Sequence, residues 1–503
     1  MSYLELLGRV APETIVAITA LVVIAVDLIV MREEPMRNRF WVCAGFAIIG
    51  CVIAALWLSV LEAPRVSAST PQSLVGLMFM DDLITRLVKT ALLTLTICSI
   101  ILSLGAKFTE HVGEYLGLIL FATVGMMLLV SSTDLLMIFI SLELTSLSLY
   151  ILTAFNKQNV KSSEAALKYF LFGGMSAAFT LFGLSLVYGL SGSTNLAQIA
   201  AALAPANGHP LDPLLIIAIV MTVIGFGFKI AAVPFHLWAP DAYEGAPTPS
   251  AALIASGSKL ASFFIFAKVM MLAFAHAGGS GAWHQYASGW LPALAILAAL
   301  SMILGNLAAI VQKNVKRLLA YSAIAQAGYA LTGLLANDSQ GMSSLIFYMI
   351  TYGLTVVGAF AVVSVAEQGS EAQITSFAGL GRRAPLVSFC MMIFMLSLAG
   401  IPPLAGFFGK FYLFAAAIGG TSGLGLLWLV ILAIAMSAVS LYYYLQILKQ
   451  IYVVPAPNDA PKILVPISTQ VILVLLAIGV VALGCAPNLL LGRLLVAMQA
   501  SGM

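Results

Sequence analysis

Charge is the first thing this chain lacks. Asp, Glu, Lys and Arg make up 9% of its 503 residues, where soluble domains carry about 25%. Hydrophobic residues make up 61%. Together these values exclude the soluble globular classes and leave a protein whose bulk lies in lipid. The net charge of +3 decides little, because the placement of charge matters more than its sum. Cysteine is also scarce. Cys43, Cys51, Cys98, Cys390 and Cys485 stand singly in apolar segments, and no Cys-x-x-Cys occurs. Neither a disulfide framework nor an iron–sulfur site is expected. No His, Cys and carboxylate grouping has metal-ligand spacing, and His111, His209, His276 and His284 fall at loops or span ends. No Gly-x-Gly-x-x-Gly opens a helix after a strand, so no nucleotide site is visible. Short alternating apolar segments are missing too, which excludes an outer-membrane barrel. The N-terminus, with Glu5, Arg9 and Glu13, does not read as a cleavable signal peptide.

What is present is a series of long apolar runs. Lipid forces backbone groups to bond internally, so the runs are helices. With about 20 residues per crossing, fourteen spans are predicted, near 13–31, 40–60, 83–105, 113–131, 134–155, 164–190, 213–238, 249–276, 290–311, 318–335, 342–366, 386–417, 424–448 and 465–486. The seventh carries Lys229 and Pro234, and the twelfth carries Pro402, Pro403 and Lys410. Proline removes a backbone donor and clashes with the preceding turn, so both spans should be broken. Spans four to eight and nine to thirteen each place the broken helix fourth. A five-helix unit has an odd number of crossings, so two in tandem are inverted, a transporter architecture. The expected division is 1–111 (three N-terminal helices), 112–276 and 277–448 (the two units) and 449–503 (the last helix).

Four charges fall deep inside. Glu143, Lys229 and Lys259 sit near mid-membrane, and Lys410 in the outer half of the twelfth span. Intramembrane ionisable residues are functional hypotheses by default. Burial disfavours the charged form of lysine and carboxylate alike, so both can exchange protons. No arginine joins the row, and arginine is the cation that does not deprotonate. The bland reading of Glu143, Lys229 and Lys259 is an interhelical ion pair, but two lysines outnumber one carboxylate. Lys168 either bridges Glu143 towards Lys229 or snorkels to the interface. His236 either relays protons or bonds a freed carbonyl. Lys268 falls on the opposite helix face from Lys259 and reads as structural or interfacial. Asp134 reads as a helix N-cap.

Four stretches resemble the antiporter-like membrane subunits of respiratory complex I: Ser141–Leu147, Glu164–Phe170, Lys229–Pro249 and Lys316–Tyr329. The third is long, and its Tyr243-Glu244-Gly245 wording is specific within that family. The resemblance implies two inverted half-channels, with Glu143 and Lys229 coupled to a neighbouring subunit. It implies Lys259 as central relay and Lys410 as outward relay. It also implies proton transport driven by remote NADH-to-quinone electron transfer in a bacterial inner membrane. Flavin, iron–sulfur clusters and quinone would belong to other subunits, and this chain would hold no cofactor or metal. Two rival readings remain: a subunit of a multisubunit sodium/proton antiporter, and a non-pumping structural subunit.

Loop charge gives an orientation. Alternate loops hold thirteen basic residues: Arg32, Arg37, Arg39, Lys107, Lys157, Lys161, Lys313, Lys316, Arg317, Arg382, Arg383, Lys449 and Lys462. The other loops and the termini hold Arg9, Arg65 and Arg493, with Arg86 and Lys89 at the edge of the third span. Positive charge stays inside, so both termini are expected outside. In a cysteine-free background, cysteines at Asn38 and Gly381 should be protected from an impermeant thiol reagent added outside, and one at Gly208 should react. The reverse labelling pattern would overturn the orientation.

Overall fold

A computed structural model describes residues 8, 10–60, 78–105, 108–204, 212–367, 372–420, 424–456, 463 and 465–501. Arg9, Arg65, Lys107, Gly208, His209 and Lys462 lie outside the described residues. Among the described residues there is no β-strand, only isolated bridges between loops. Among the described residues, thirteen helices are long and apolar enough to cross a membrane. They are α1 (Ala11–Val30), α2 (Met36–Val60), α3 (Leu83–Ser103), α4 (Val112–Ser131), α5 (Leu135–Thr153), α6 (Val160–Ser191), α7 (Pro213–Ile230), α8 (Thr248–Ala273), α9 (Trp290–Ile310), α10 (Val315–Leu335), α11 (Ser339–Ala366), α13 (Leu427–Tyr452) and α14 (Ile467–Cys485). Two shorter apolar helices, Pro385–Ala399 and Ala405–Gly419, flank Pro402 and Pro403 and together form α12. The fourteen segments fall one for one on the fourteen expected spans.

Local chemistry sets where the helices start. Asp82, Asp134, Asn159, Asn314 and Asp338 stand just before α3, α5, α6, α10 and α11, and each side chain accepts from a first-turn amide. These are N-caps, which satisfy donors that the helix itself leaves open. Asp134 takes Leu136 N at 2.9 Å and Met137 N at 3.2 Å, the cap role expected for it.

Two boundaries depart from expectation. The seventh span was expected to run to residue 238, but α7 ends at Ile230. A helix continuing through residue 234 would need an amide there to reach the carbonyl of Ile230, and Pro234 has none. The chain instead turns at Ala231 and restarts as a short helix at Trp238–Gly245. At the other end of the chain, Asn488–Ser501 forms a helix that the span count did not include. Its 14 residues are too few to cross.

Burial locates the core. Every residue of the α8 span window is buried, as are 94% of those of α10 and α11, against 28% for α1 and 33% for α6 and α13. So α8, α10 and α11 are enclosed by protein, and the outer helices meet lipid. The first two helices are pinned to α4 by a buried carboxylate. Asp27 is fully buried. It accepts from Arg39 Nε at 2.8 Å and Arg39 Nη2 at 2.7 Å, and from the Gly113 amide at 2.8 Å. A fork-on-carboxylate pair of this kind is strong and directional. Removing one partner leaves the other charge buried and unanswered, at a cost of about 3–5 kcal/mol. Arg39→Ala should therefore lower the thermal unfolding midpoint of the detergent-purified protein well beyond any exposed-arginine control. An unchanged midpoint would show that the pair does not anchor this segment.

Candidate functional site

The first helix break brings Lys229 to the end of α7. Ala231 adopts a left-handed φ of 58°, and Ala232 N closes the helix end on Gly227 O at 2.8 Å. Val233 N donates to Ser301 Oγ at 2.9 Å, and Trp238 Nε1 to Phe228 O at 3.0 Å. The groups freed by the break are thus claimed by side chains. Lys229 is 9% exposed, and its Nζ donates to Ser146 Oγ on α5. Glu143 lies on the same helix, one turn before Ser146, and is half-buried. The interhelical ion pair of the bland reading is not formed between Glu143 and Lys229 among the described residues. The two interact electrostatically with the Ser146 hydroxyl holding the ammonium. His236 is half-buried in the break, and its Nδ1 has no hydrogen-bond partner among the described residues.

Lys259 follows a widened π turn at Ile254–Ser258 in α8, a feature often found at functional sites. It is 2% exposed and its Nζ donates to Ala323 O on α10 at 2.7 Å. One turn further along α10, Gln326 Nε2 donates to Leu398 O at 3.1 Å. Lys410 Nζ donates to that same carbonyl at 3.0 Å, to Ala399 O at 3.3 Å and to Ser437 Oγ at 2.9 Å. It also stands 4.7 Å above the centre of the Tyr329 ring, a cation–π distance. Leu398 and Ala399 close the first half of α12, so their carbonyls are free because the helix stops there. Gly400 makes the stop with a φ of 87°, a conformation that favours glycine.

The two inner lysines are therefore joined through α10. Tyr348 OH donates to Gln326 Oε1, Gln326 Nε2 also reaches Tyr444 OH at 3.3 Å, and Tyr444 bonds Ser322. Sequence reasoning did not single out Gln326, Tyr348, Tyr444 or Ser437. The available signal was a lone amide, Gln326, in an otherwise apolar run.

The opposite end of the row opens on a charged network. Asp241, in the link between α7 and α8, accepts from Lys168 Nζ at 2.8 Å and Arg317 Nη1 at 2.6 Å. Lys168 also pairs with Glu164 at 2.7 Å. It is 41% exposed, so it belongs to this rim and does not bridge Glu143 to Lys229. Glu244 takes Arg317 at 3.0 Å and Lys161 at 3.1 Å. A cavity of about 660 Å³ lies between Lys168, Leu237, Asp241, Arg317 and Tyr321. Lys268, expected to be structural or interfacial, is not interfacial, because it is 1% exposed. Among the described residues no group of three or more His, Cys, Asp or Glu is placed to hold a metal ion.

Residues 132–437 match the family model of the NADH:quinone oxidoreductase/Mrp antiporter transmembrane region. That segment runs from the Asp134 cap through both helix breaks to Ser437. The chain belongs to this family. It is 50% identical over 500 residues to NADH-quinone oxidoreductase subunit N 2 of Acidobacterium capsulatum, covering 98% of this chain and 99% of that one. It is 33% identical to a chain of the respiratory complex I structure from Thermus thermophilus, with a TM-score of 0.76 over 96% of this chain and 99% of that chain. The Mrp complex from Dietzia sp. contains a chain with the same fold, at 21% identity, a TM-score of 0.79 and 97% coverage of both chains.

Asp241 gives the rim a pH signature. Burial pushes its carboxyl up, but the hydrogen bonds and charges of Lys168 and Arg317 outweigh that and hold it below the ordinary value of 3.8. A carboxylate lowered on folding contributes stability above its unfolded value and loses it as pH falls through the folded one. Asp241→Asn should lower thermal stability by a constant increment, about 1 kcal/mol for such partly exposed pairs, across neutral pH. The gap to the unmodified protein should close only below about pH 4. A gap that closes near pH 6 would assign the effect to another group.

Proposed function

We propose that this chain is a proton-translocating membrane subunit of an NADH–quinone oxidoreductase, of the subunit N type. The observation that carries the reading is the line Lys259–Ala323–Gln326–Leu398–Lys410, which joins two buried lysines through a broken helix. The 50% identical relative bears the name subunit N over almost its whole length, and the 33% identical chain is part of a respiratory complex I. The chain holds no redox group of its own in this reading. NADH oxidation and quinone reduction occur in partner subunits, and the energy reaches this chain as a shift of charge.

The residues divide the work as follows. Glu143 sits on the face of α5 that also presents Ile140, Leu147 and Ile151, all about half exposed, so it is the charge a neighbouring subunit can address. Drawing a partner charge towards Glu143, or away from it, changes how firmly the nearby Lys229 holds its proton. Lys229 passes its proton to Lys259, and Lys259 passes it along α10 to Lys410 in the outer half of α12. Helices α4–α8 and α9–α13 act as two inverted half-channels, with the break helix fourth in each. The membrane is the bacterial inner membrane and both termini face outward. A sodium/proton antiporter subunit shares the fold, but the Tyr243-Glu244-Gly245 wording and the 50% identical relative favour the first reading.

Two substitutions test the relay. Lys229→Arg keeps the charge and much of the size but cannot release a proton. At matched subunit levels it should assemble and yet lose most NADH-driven quenching of a pH-gradient dye in inverted vesicles. Glu143→Gln should assemble and lose electron transfer and pumping together. Near-normal quenching in Lys229→Arg would make Lys229 half of a structural contact instead.

A further inference from the structure

A second set of buried charges lies apart from the row. Glu13 near the start of α1 is 3% exposed, and Lys89 on α3 and Lys268 on α8 are each 1% exposed. Lys89 Nζ stands 2.6 Å from Glu13 Oε1. Ser131 Oγ, at the end of α4, lies 3.4 Å from the same oxygen. Lys268 Nζ reaches the carbonyl of the neighbouring Val130 at 3.5 Å and lies within electrostatic range of Asp82 and Lys89. Two acceptor oxygens stay open: Glu13 Oε2 and Asp82 Oδ2 are buried with no hydrogen-bond partner among the described residues. All these groups gather at one end of the bundle. Glu13 is the third residue of α1, Asp82 caps α3, Ser131 closes α4, and Lys268 is five residues from the end of α8. This is the face on which the chain begins. Just beyond it, Arg86 and Asp81 pair at 2.7 Å.

A purely structural ion pair matches one acid to one base and binds every oxygen, because an open buried lone pair is costly. This cluster does otherwise. Each acid keeps an open oxygen, and Lys268 has no carboxylate within ion-pair distance among the described residues. We propose that Glu13, Lys89, Lys268 and Asp82 form a second proton-exchange site at the outer end of the seam where α1 and α3 meet α4 and α8. The proposal rests on the proton-translocation reading above and adds a site outside its row. Lys268, held by the long 3.5 Å contact to Val130 O, swings to an open carboxylate oxygen of Asp82 or Glu13 and gives it a proton. One N–H bond breaks, one O–H bond forms, and a buried cation and anion both become neutral, which lowers the desolvation cost of the site. The acid then releases that proton to water at the outer face and returns to carboxylate. Lys268 is recharged from the relay, so one proton leaves per cycle. Lys89 stays charged and holds Glu13 in place.

The test uses the complete enzyme in inverted vesicles, with NADH-driven dye quenching scaled to the amount of assembled enzyme. Lys268→Met removes the amine, and Lys268→Arg keeps its charge without a releasable proton. The proposal expects both to lose most of the quenching, with arginine no better than methionine. It expects Glu13→Asp to retain pumping and Glu13→Gln to lose it. Restoration by Lys268→Arg would overturn the proposal and leave a structural cation. So would full pumping per assembled enzyme in Lys268→Arg and Glu13→Gln, or a loss confined to the amount assembled. Lys229→Arg run in parallel separates the two ideas. If it loses pumping and Lys268→Arg does not, only the second site falls; if both pump normally, the translocation reading falls with it.

Discussion

A lysine ammonium in hydrocarbon has to be met by oxygen, and intact helices have almost none to offer. Their carbonyls are already bonded four residues on. The fold resolves this in two ways, by stopping a helix beside the lysine and by offering an oxygen from a packed neighbour. At the twelfth span the stop frees Leu398 and Ala399 O, and Lys410 takes both. At the seventh, Lys229 turns to a hydroxyl, Ser146, while the freed backbone is claimed by Ser301 and Trp238. Lys259 takes the carbonyl of Ala323 on the neighbouring α10. Among the described residues, none of these three is locked by a carboxylate at short range. A neutral oxygen stabilises the charged amine less than an anion would.

The N-terminal three helices use the opposite solution. Asp27 with Arg39, and Glu13 with Lys89, are acid–base contacts at 2.7 and 2.6 Å near the two ends of α1. Each also meets α4, one through the Gly113 amide and one through Ser131. The segment is thus held to α4 at both ends.

Much of this was legible in the sequence because it follows from covalent constraints. Proline has no amide, so Pro234 and Pro402-Pro403 announced two breaks. Lysine in an apolar run has one charge to satisfy, so Lys229, Lys259 and Lys410 announced themselves. Asp134 before an apolar run could be read as a cap. What was not legible depended on which helices touch. Lys229 finds Ser146, one turn along α5 from Glu143, only because side chains of α7 and α5 meet there. Gln326 matters because α10 passes both α8 and the break in α12. Lys168 turned outward because Asp241 comes within reach from a distant part of the chain. Lys89 and Glu13 are 76 residues apart in sequence, and no local pattern links them.

The enclosure of α8 and α10 carries a consequence for how the chain is made. These two are the least apolar of the candidate spans, and they are also among the most fully wrapped by protein. Each carries a lysine, Lys259 or Lys316, that lipid would not welcome. A helix entering a bilayer singly has to partition by its own hydrophobicity, and these two are the poorest candidates to do so. Their stable residence depends on neighbours already in place, α3, α4 and α7 beside α8 and α9 beside α10. Insertion of the chain is then cooperative: the strongly apolar outer helices act as the scaffold into which the functional helices are received.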